Sequence, residues 1–176
     1  MGVKYQPFSR SGRRFLLNPN LVEDQEQRWR IYMAITPDRV REIFKGLENG
    51  DGAEFFTHVA DDVDWIVEGT HPLAGHYHSK ADFLAHTFEK LAKVLPQGTQ
   101  LHVESALASG DWAVVELHSL ATAKNGLRFD NRYCWLCRFS DGKIVEVRAY
   151  LDSALVARLF EENPIREAEK APGAPA

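Results

Sequence analysis

Apolar residues recur every three to four positions from Val40 to Leu95, then alternate with polar ones from Leu101 to Leu151. The first spacing is that of amphipathic helices, the second that of strands. Thr36-Pro37-Asp38 supplies an N-cap, a proline at the first helical position and an early acid. The helix it opens carries Val40, Ile43, Phe44 and Leu47 and stops at Gly50. Asp51-Gly-Ala-Glu54 reads as a capping box for a short second helix bearing Phe55, Phe56 and Val59. A strand is predicted at Val63–Glu68, with Val63, Trp65 and Val67 on one face. A loop from Gly69 to His78 then leads to Ser79-x-x-Asp82, the cap of a third helix with Leu84, Phe88, Leu91 and Leu95 on one stripe.

Strand-like runs follow at about 101–109, 112–123, 127–139 and 143–151, parted by Gly110-Asp111, Asn125-Gly126 and Ser140-Asp141-Gly142. A last amphipathic helix spans Ser153–Phe160. Helices first and an antiparallel meander second predict an α+β domain, three N-terminal helices packed on one side of a curved, mostly antiparallel sheet.

The turns fix which side chains share a face. A two-residue Asn125-Gly126 turn pairs His118 with Tyr133, Glu116 with Trp135 and Leu120 with Asn131. A three-residue Ser140–Gly142 loop pairs Trp135 with Val147 and Tyr133 with Ala149. Together these put Glu116, His118, Asn131, Tyr133, Trp135, Val147, Ala149 and Leu151 on a concave, aromatic face. The other face receives Arg128, Asp130, Arg132, Arg138, Glu146 and Arg148. A two-residue turn at Ser140–Gly142 would instead turn Arg148 and Tyr150 inward. A carboxylate and an imidazole two apart on one strand, within apolar walls, are suited to proton transfer near neutral pH. Glu116 is thus a candidate base and His118 a candidate acid or relay, with Asn131 and Tyr133 as hydrogen-bond donors. The competing reading is that Asn131, Tyr133 and His118 satisfy one another in the core.

Composition adds limits. The chain has 176 residues and a net charge of −4, which gives no electrostatic reason to expect nucleic acid. No apolar run reaches the roughly 18 residues a membrane span needs, so a membrane partner is not expected. Cys134 and Cys137, three apart on a strand, point to opposite faces and read as free thiols of a reducing, cytoplasmic setting. Residues 1–35 carry Arg10, Arg13 and Arg14 and no acid before Glu23. They read as an arm across the domain or a partner subunit, or as an organellar address. Residues 36–160 form the domain, and 161–176, with Pro172, Gly173 and Pro175, a flexible tail. His71, His76 and His78 cluster in one loop without a neighbouring Cys or acid pair, so no metal is expected. His71 is instead a candidate ligand contact at the pocket entrance. No Gly-rich phosphate loop appears, and no cofactor is expected.

The order helix–helix–strand–helix–meander, with HVADDVDWIVEGTHPLAGHYHSKADF and FDNRYCWLCRFSDGKIVEVRAYLDSALV, resembles the SnoaL-like, ketosteroid-isomerase-like domains of the nuclear-transport-factor-2-like superfamily over about residues 36–160. The Asp141-Gly-Lys-Ile144 turn followed by Val147-Arg-Ala-Tyr-Leu-Asp152 carries most of the likeness. The resemblance implies a conical α+β barrel, a pocket between sheet and helices, and frequent homodimers. Its members include polyketide cyclases, isomerases, dehydratases, epoxide hydrolases and non-catalytic binders. It also marks departures. The strand aspartate that serves ketosteroid isomerases as base falls at Trp65, and their oxyanion-holding tyrosine and acid fall at Ile43 and Trp135. The last-strand aspartate of limonene-type epoxide hydrolases falls at Ala149. The expectation is a cofactor-independent isomerase, cyclase or dehydratase acting on a small hydrophobic molecule, with Trp65, Val67, His71, Trp135, Val147 and Ala149 as its binding wall. The alternative is a non-catalytic ligand-binding or dimerisation module of the same fold.

Overall fold

The computed structural model describes residues 34–165. The arm predicted at 1–35 therefore lies almost wholly outside the described residues, as does the tail from 166 on. Helix α1 (Pro37–Phe44) starts where the sequence signals, with the Thr36 hydroxyl accepting from the Arg39 N–H, and it tightens into a 3-10 turn at Lys45–Leu47. Helix α2 (Ala53–Thr57) follows. Its start is held by Asp51, whose carboxylate accepts from Ala53 N at 2.9 Å, rather than by a reciprocal capping box. Val59 belongs to strand β1 (Val59–Val67), which begins four residues earlier than predicted. The predicted loop contains a short strand, β2 (Gly75–Tyr77).

The predicted third helix is two. Ser79 caps α3 (Lys80–His86) through Asp82 N, and α4 (Phe88–Val94) resumes after a break at Thr87. There φ is −122° and ψ −76°, and the Thr87 hydroxyl donates back to Phe83 O at 2.6 Å. A side-chain bond to the preceding turn competes with the helix ladder and bends the axis.

Strands β3 (Gln100–Ser109), β4 (Trp112–Leu120), β5 (Arg132–Ser140) and β6 (Lys143–Leu151) form the meander. The sheet order is β2-β1-β6-β5-β4-β3, antiparallel throughout except for the parallel β1–β6 pair. This is the predicted α+β architecture. Helix α5 (Ser153–Glu162), capped by Asp152, runs two residues into the predicted tail. Asn163 beyond it is buried and accepts from Asn125 N, so residues 161–165 are tied to the β4–β5 hairpin.

The helices cover the inner face of the sheet in two apolar clusters. One gathers Val40, Ile43, Phe44 and Phe55 around Trp65, Trp135 and Val147. The other joins Leu73, Val94 and Leu95 to Phe129, Val156 and Leu159. Residues facing inward alternate strictly along β4, where Ala113, Val115, Leu117 and Ser119 are buried.

Candidate functional site

Glu116 and His118 lie on the outer face of the sheet, contrary to the sequence expectation. Leu117 pairs with Tyr133 and Val115 with Trp135, one residue out of the predicted register. The cause is the hairpin loop. Ala123 N donates to Leu127 O, and the loop is the three residues Lys124-Asn125-Gly126. Gly126 takes φ +88° in the bulge position that such loops reserve for glycine. A one-residue change in loop length turns every side chain of β4 over. Glu116 is exposed. His118 stacks on His102 at 5.4 Å, and its Nδ1 lies 3.1 Å from Glu104 Oε1, a carboxylate that also pairs with Arg132. The even and odd positions of β4 held the clue, since inward-facing Val115 and Leu117 bury no charge while Glu116 and His118 would.

The β5–β6 turn also departs from expectation, yet the faces survive. Ser140 pairs with Lys143 around a two-residue Asp141-Gly142 turn, with Asp141 and Gly142 at φ +50° and +75°. That turn alone would send Glu146, Arg148 and Tyr150 inward. A one-residue register shift at Val145, between the Phe139–Ile144 and Arg138–Glu146 pairs, restores the parity. Val147 and Ala149 are consequently buried and Arg148 and Tyr150 exposed. Outside, Arg138 and Arg148 both hold Glu146, and Arg128 holds Asp130.

An apolar cavity opens where the two clusters meet. The sheet contributes Trp65, Val67, Leu101, Tyr133, Trp135, Ala149 and Leu151, and the helices Phe83, Thr87, Phe88, Leu91 and Val156. Leu73, Thr99 and Phe129 complete it from loops. Its empty volume, with the mouth included, is about 500 Å³. Trp65 stacks on Phe83 at 3.8 Å and meets Trp135 edge-on at 5.3 Å. Val147 is buried beneath this wall and Ile43 in the adjoining core; neither reaches the cavity.

The wall carries hydrogen-bond donors and no acid. Among the described residues no carboxylate and no imidazole lines the cavity. Both indole N–H groups, of Trp65 and Trp135, are buried without a protein partner. An indole nitrogen can only donate, and leaving such a group unpaired costs roughly 1–3 kcal/mol. Burial raises the pKa of the Tyr133 hydroxyl further above its already alkaline value, against a partial lowering by the neighbouring Ser119 hydroxyl. The sequence pointed to Tyr133 as a donor but not to the two indoles, because Trp65 and Trp135 read as apolar wall rather than as N–H groups. It also passed over Thr99 and Phe129, both of which the structure leaves outside regular elements, although Phe129 falls within the strand predicted at 127–139.

Asn131 is buried and fully engaged. Its Oδ1 accepts from Arg132 N at 2.7 Å and Asp152 N at 3.0 Å, while Nδ2 donates to Asp152 O at 3.3 Å. It clasps the start of β5 to the end of β6. His71 is likewise occupied. Its Nε2 lies 3.2 Å from Glu68 O, and Leu73 N donates to Nδ1 at 3.2 Å, which together define an Nε2–H tautomer. Desolvation holds its pKa below the usual histidine value. His71 therefore shapes the loop and is absent from the cavity wall. His76 and His78 point the other way, onto the outer face beside Asp64 of β1.

Among the described residues no helix is long and apolar enough to cross a membrane. In comparisons with known proteins, residues 40–147 match the SnoaL-like domain family. A dimerizing cyclase, phiC, of a fungal species is 31% identical over 133 residues, 72% of this chain and 57% of that protein. The dimerizing cyclase tstC of Talaromyces stipitatus is 27% identical over 114 residues, 62% of this chain and 51% of that protein. The chain thus spans about half the length of these relatives. An NTF2-like protein of Burkholderia thailandensis superposes with a TM-score of 0.61 at 23% identity, covering 72% of this chain and 98% of that one. A Catenulispora acidiphila protein with a ketosteroid isomerase-like fold, solved with trimethylamine, gives 0.56 at 15%, over 69% and 91%. These structures share the fold, and the sequence match decides the family: the chain belongs to the SnoaL-like domain family, on an NTF2-like, ketosteroid-isomerase-like α+β scaffold.

Proposed function

We propose that this domain binds a small, largely apolar molecule bearing one accepting oxygen and promotes its cyclisation or isomerisation without a cofactor. The observation that carries the reading is the pair of partnerless indole N–H groups, Trp65 and Trp135, in the wall of an apolar cavity. A carbonyl oxygen held against them, with the Tyr133 hydroxyl as a third donor, relieves the cost of the unpaired groups. As negative charge builds on that oxygen, fixed donors in a dry site stabilise it more than water would. The similarity to two cyclases supports the reaction class. With no carboxylate or imidazole in the described wall, the protein's part is electrophilic, and the proton passes between the substrate's own groups.

That same lack of an acid–base group favours a second reading, a module that holds its ligand and does not turn it over. Self-association through the outer sheet face fits both. Leu107 on β3 and Tyr150 on β6 stand exposed there.

The test uses 4-nitrophenolate, whose absorbance reports hydrogen bonding at its oxygen, alongside p-cymene, which has as many non-hydrogen atoms and no acceptor. The expected result is tighter binding of the phenolate, weakened in Trp65→Phe, Trp135→Phe and Tyr133→Phe. A folded Trp65→Phe/Trp135→Phe double variant that binds it as tightly as the parent would end the proposal. Turnover of a cyclisable substrate that survives in the same variant would remove the indole donors from catalysis, whereas a parent protein that binds such a substrate and leaves it unchanged would favour the second reading.

A further inference from the structure

The geometry points to a divalent transition-metal site on the outer face of the sheet, formed by Asp64, His76 and His78. The three come together through sheet register. Trp65 pairs with Tyr77 and Ile66 with His76, so Asp64 on β1 lies diagonal to His76 and one step along from the Trp65–Tyr77 pair, beside His78. Tyr77 turns inward, and the two histidines flanking it emerge on the outer side. His76 Nε2 is 2.5 Å and His78 Nδ1 3.3 Å from the same oxygen, Asp64 Oδ1. The imidazole centroids are 4.1 Å apart, and the three ligand atoms all lie within 4.8 Å of one another.

Ligand atoms about 2.1 Å from a tetrahedral ion stand ~3.4 Å apart. The Asp64–His78 spacing already has that value. The Asp64–His76 contact must open by about 1 Å to admit the ion, and both side chains are roughly half exposed and free to turn. Two imidazoles and one carboxylate suit Zn²⁺, Co²⁺, Ni²⁺ or Cu²⁺ rather than Mg²⁺ or Ca²⁺. Glu146, the β6 partner of Asp64, is held by Arg138 and Arg148, so water fills the remaining coordination.

The sequence alone argued against a metal because no acid pair adjoins the histidine loop; Asp64 arrives from the neighbouring strand. The site stands on the side of the sheet opposite the cavity and does not depend on the reading of that cavity. Its effect is mechanical. Strand β2 pairs with β1 over only three residues, and its Tyr77 hydroxyl donates to Leu73 O at 3.0 Å, bracing a residue of the cavity wall. A bound ion clips this edge strand to β1.

The experiment is calorimetric titration of full-length, tag-free, chelator-stripped protein with ZnCl₂, with amide exchange measured on the same sample. Expected are one ion per chain, slower exchange at His76 and Tyr77, and weakening by more than about 10-fold in each of Asp64→Asn, His76→Ala and His78→Ala. His118→Ala, which alters the other histidine pair, leaves binding unchanged. Absence of saturable binding below ~1 mM, or one-ion binding that persists in folded His76→Ala/His78→Ala, overturns the proposal.

Discussion

Replacing Asn131 by alanine separates a structural role from a catalytic one. The substitution removes the acceptor of Arg132 N and Asp152 N and the donor to Asp152 O. At roughly 1 kcal/mol net for each bond, with more where a buried partner is orphaned, the loss is about 2–4 kcal/mol. Asp152 N retains a longer contact to Arg132 O at 3.3 Å, which argues for the middle of that range. For a chain of this size each kcal/mol lowers the melting temperature by roughly 2–4 °C, so a drop of about 10 °C is expected. Urea unfolding followed by tryptophan emission should move to a lower midpoint with an unchanged slope. Once the folded fraction is accounted for, 4-nitrophenolate affinity should match that of the parent. An Asn131→Ala protein of unaltered stability that has lost ligand binding would refute the clasp and return the residue to the cavity.

Four further outcomes follow from the same structure. Glu116→Gln should leave stability within about 0.5 kcal/mol and ligand affinity unchanged, because that carboxylate is exposed on the far face; chemical unfolding and the phenolate titration check it. His71, its pKa depressed by burial, takes up a proton more readily in the unfolded chain. Its contribution is full above the ordinary histidine value, about pH 6.5, and declines as pH falls toward the depressed folded value, so His71→Gln should flatten the stability profile below about pH 6.5. Gly98→Ala should cost at least ~2 kcal/mol, measured by unfolding, since φ is +72° and a Cβ would stand 2.3 Å from Gly50 O. The proposed self-association through the outer face predicts a dimer for the parent protein and a monomer for Leu107→Glu combined with Tyr150→Glu by size-exclusion light scattering; a parent monomer, or an unchanged mass in the variant, would remove the outer face as an interface.

The elements were legible because their signals are local. Thr36, Ser79 and the positive-φ turn glycines each act within a few residues, and the structure keeps every helix start and hairpin they mark. The break at Thr87 was hidden, since a threonine inside an apolar stripe does not disclose that its hydroxyl bonds backward. Facing was harder, because it depends on counting residues across a turn. Asn125-Gly126 suits a two-residue turn as readily as the end of a three-residue one, and the choice moved Glu116 and His118 out of the site. The β5–β6 faces came out as expected only because two departures, the tight turn and the shift at Val145, cancel. The Asp64 cluster was invisible for a different reason: it depends on the pairing of β1 with β2, and β2 is too short to announce itself.

The register shift at Val145 also sets how this domain can change. Deleting Val145 removes the shift and the residue together and keeps the faces. Were the shift lost with Val145 kept, Glu146, Arg148 and Tyr150 would come to the concave side in place of Val147, Ala149 and Leu151, bringing a carboxylate, a guanidinium and a phenol inward. Point substitution would need three separate steps, each burying a polar group before its partners exist. A change of one residue in the length of the β5–β6 turn, with the shift retained, turns β6 over in the same way, which makes loop and strand length, rather than side-chain identity, the shorter route by which chemistry on this scaffold can be lost or gained.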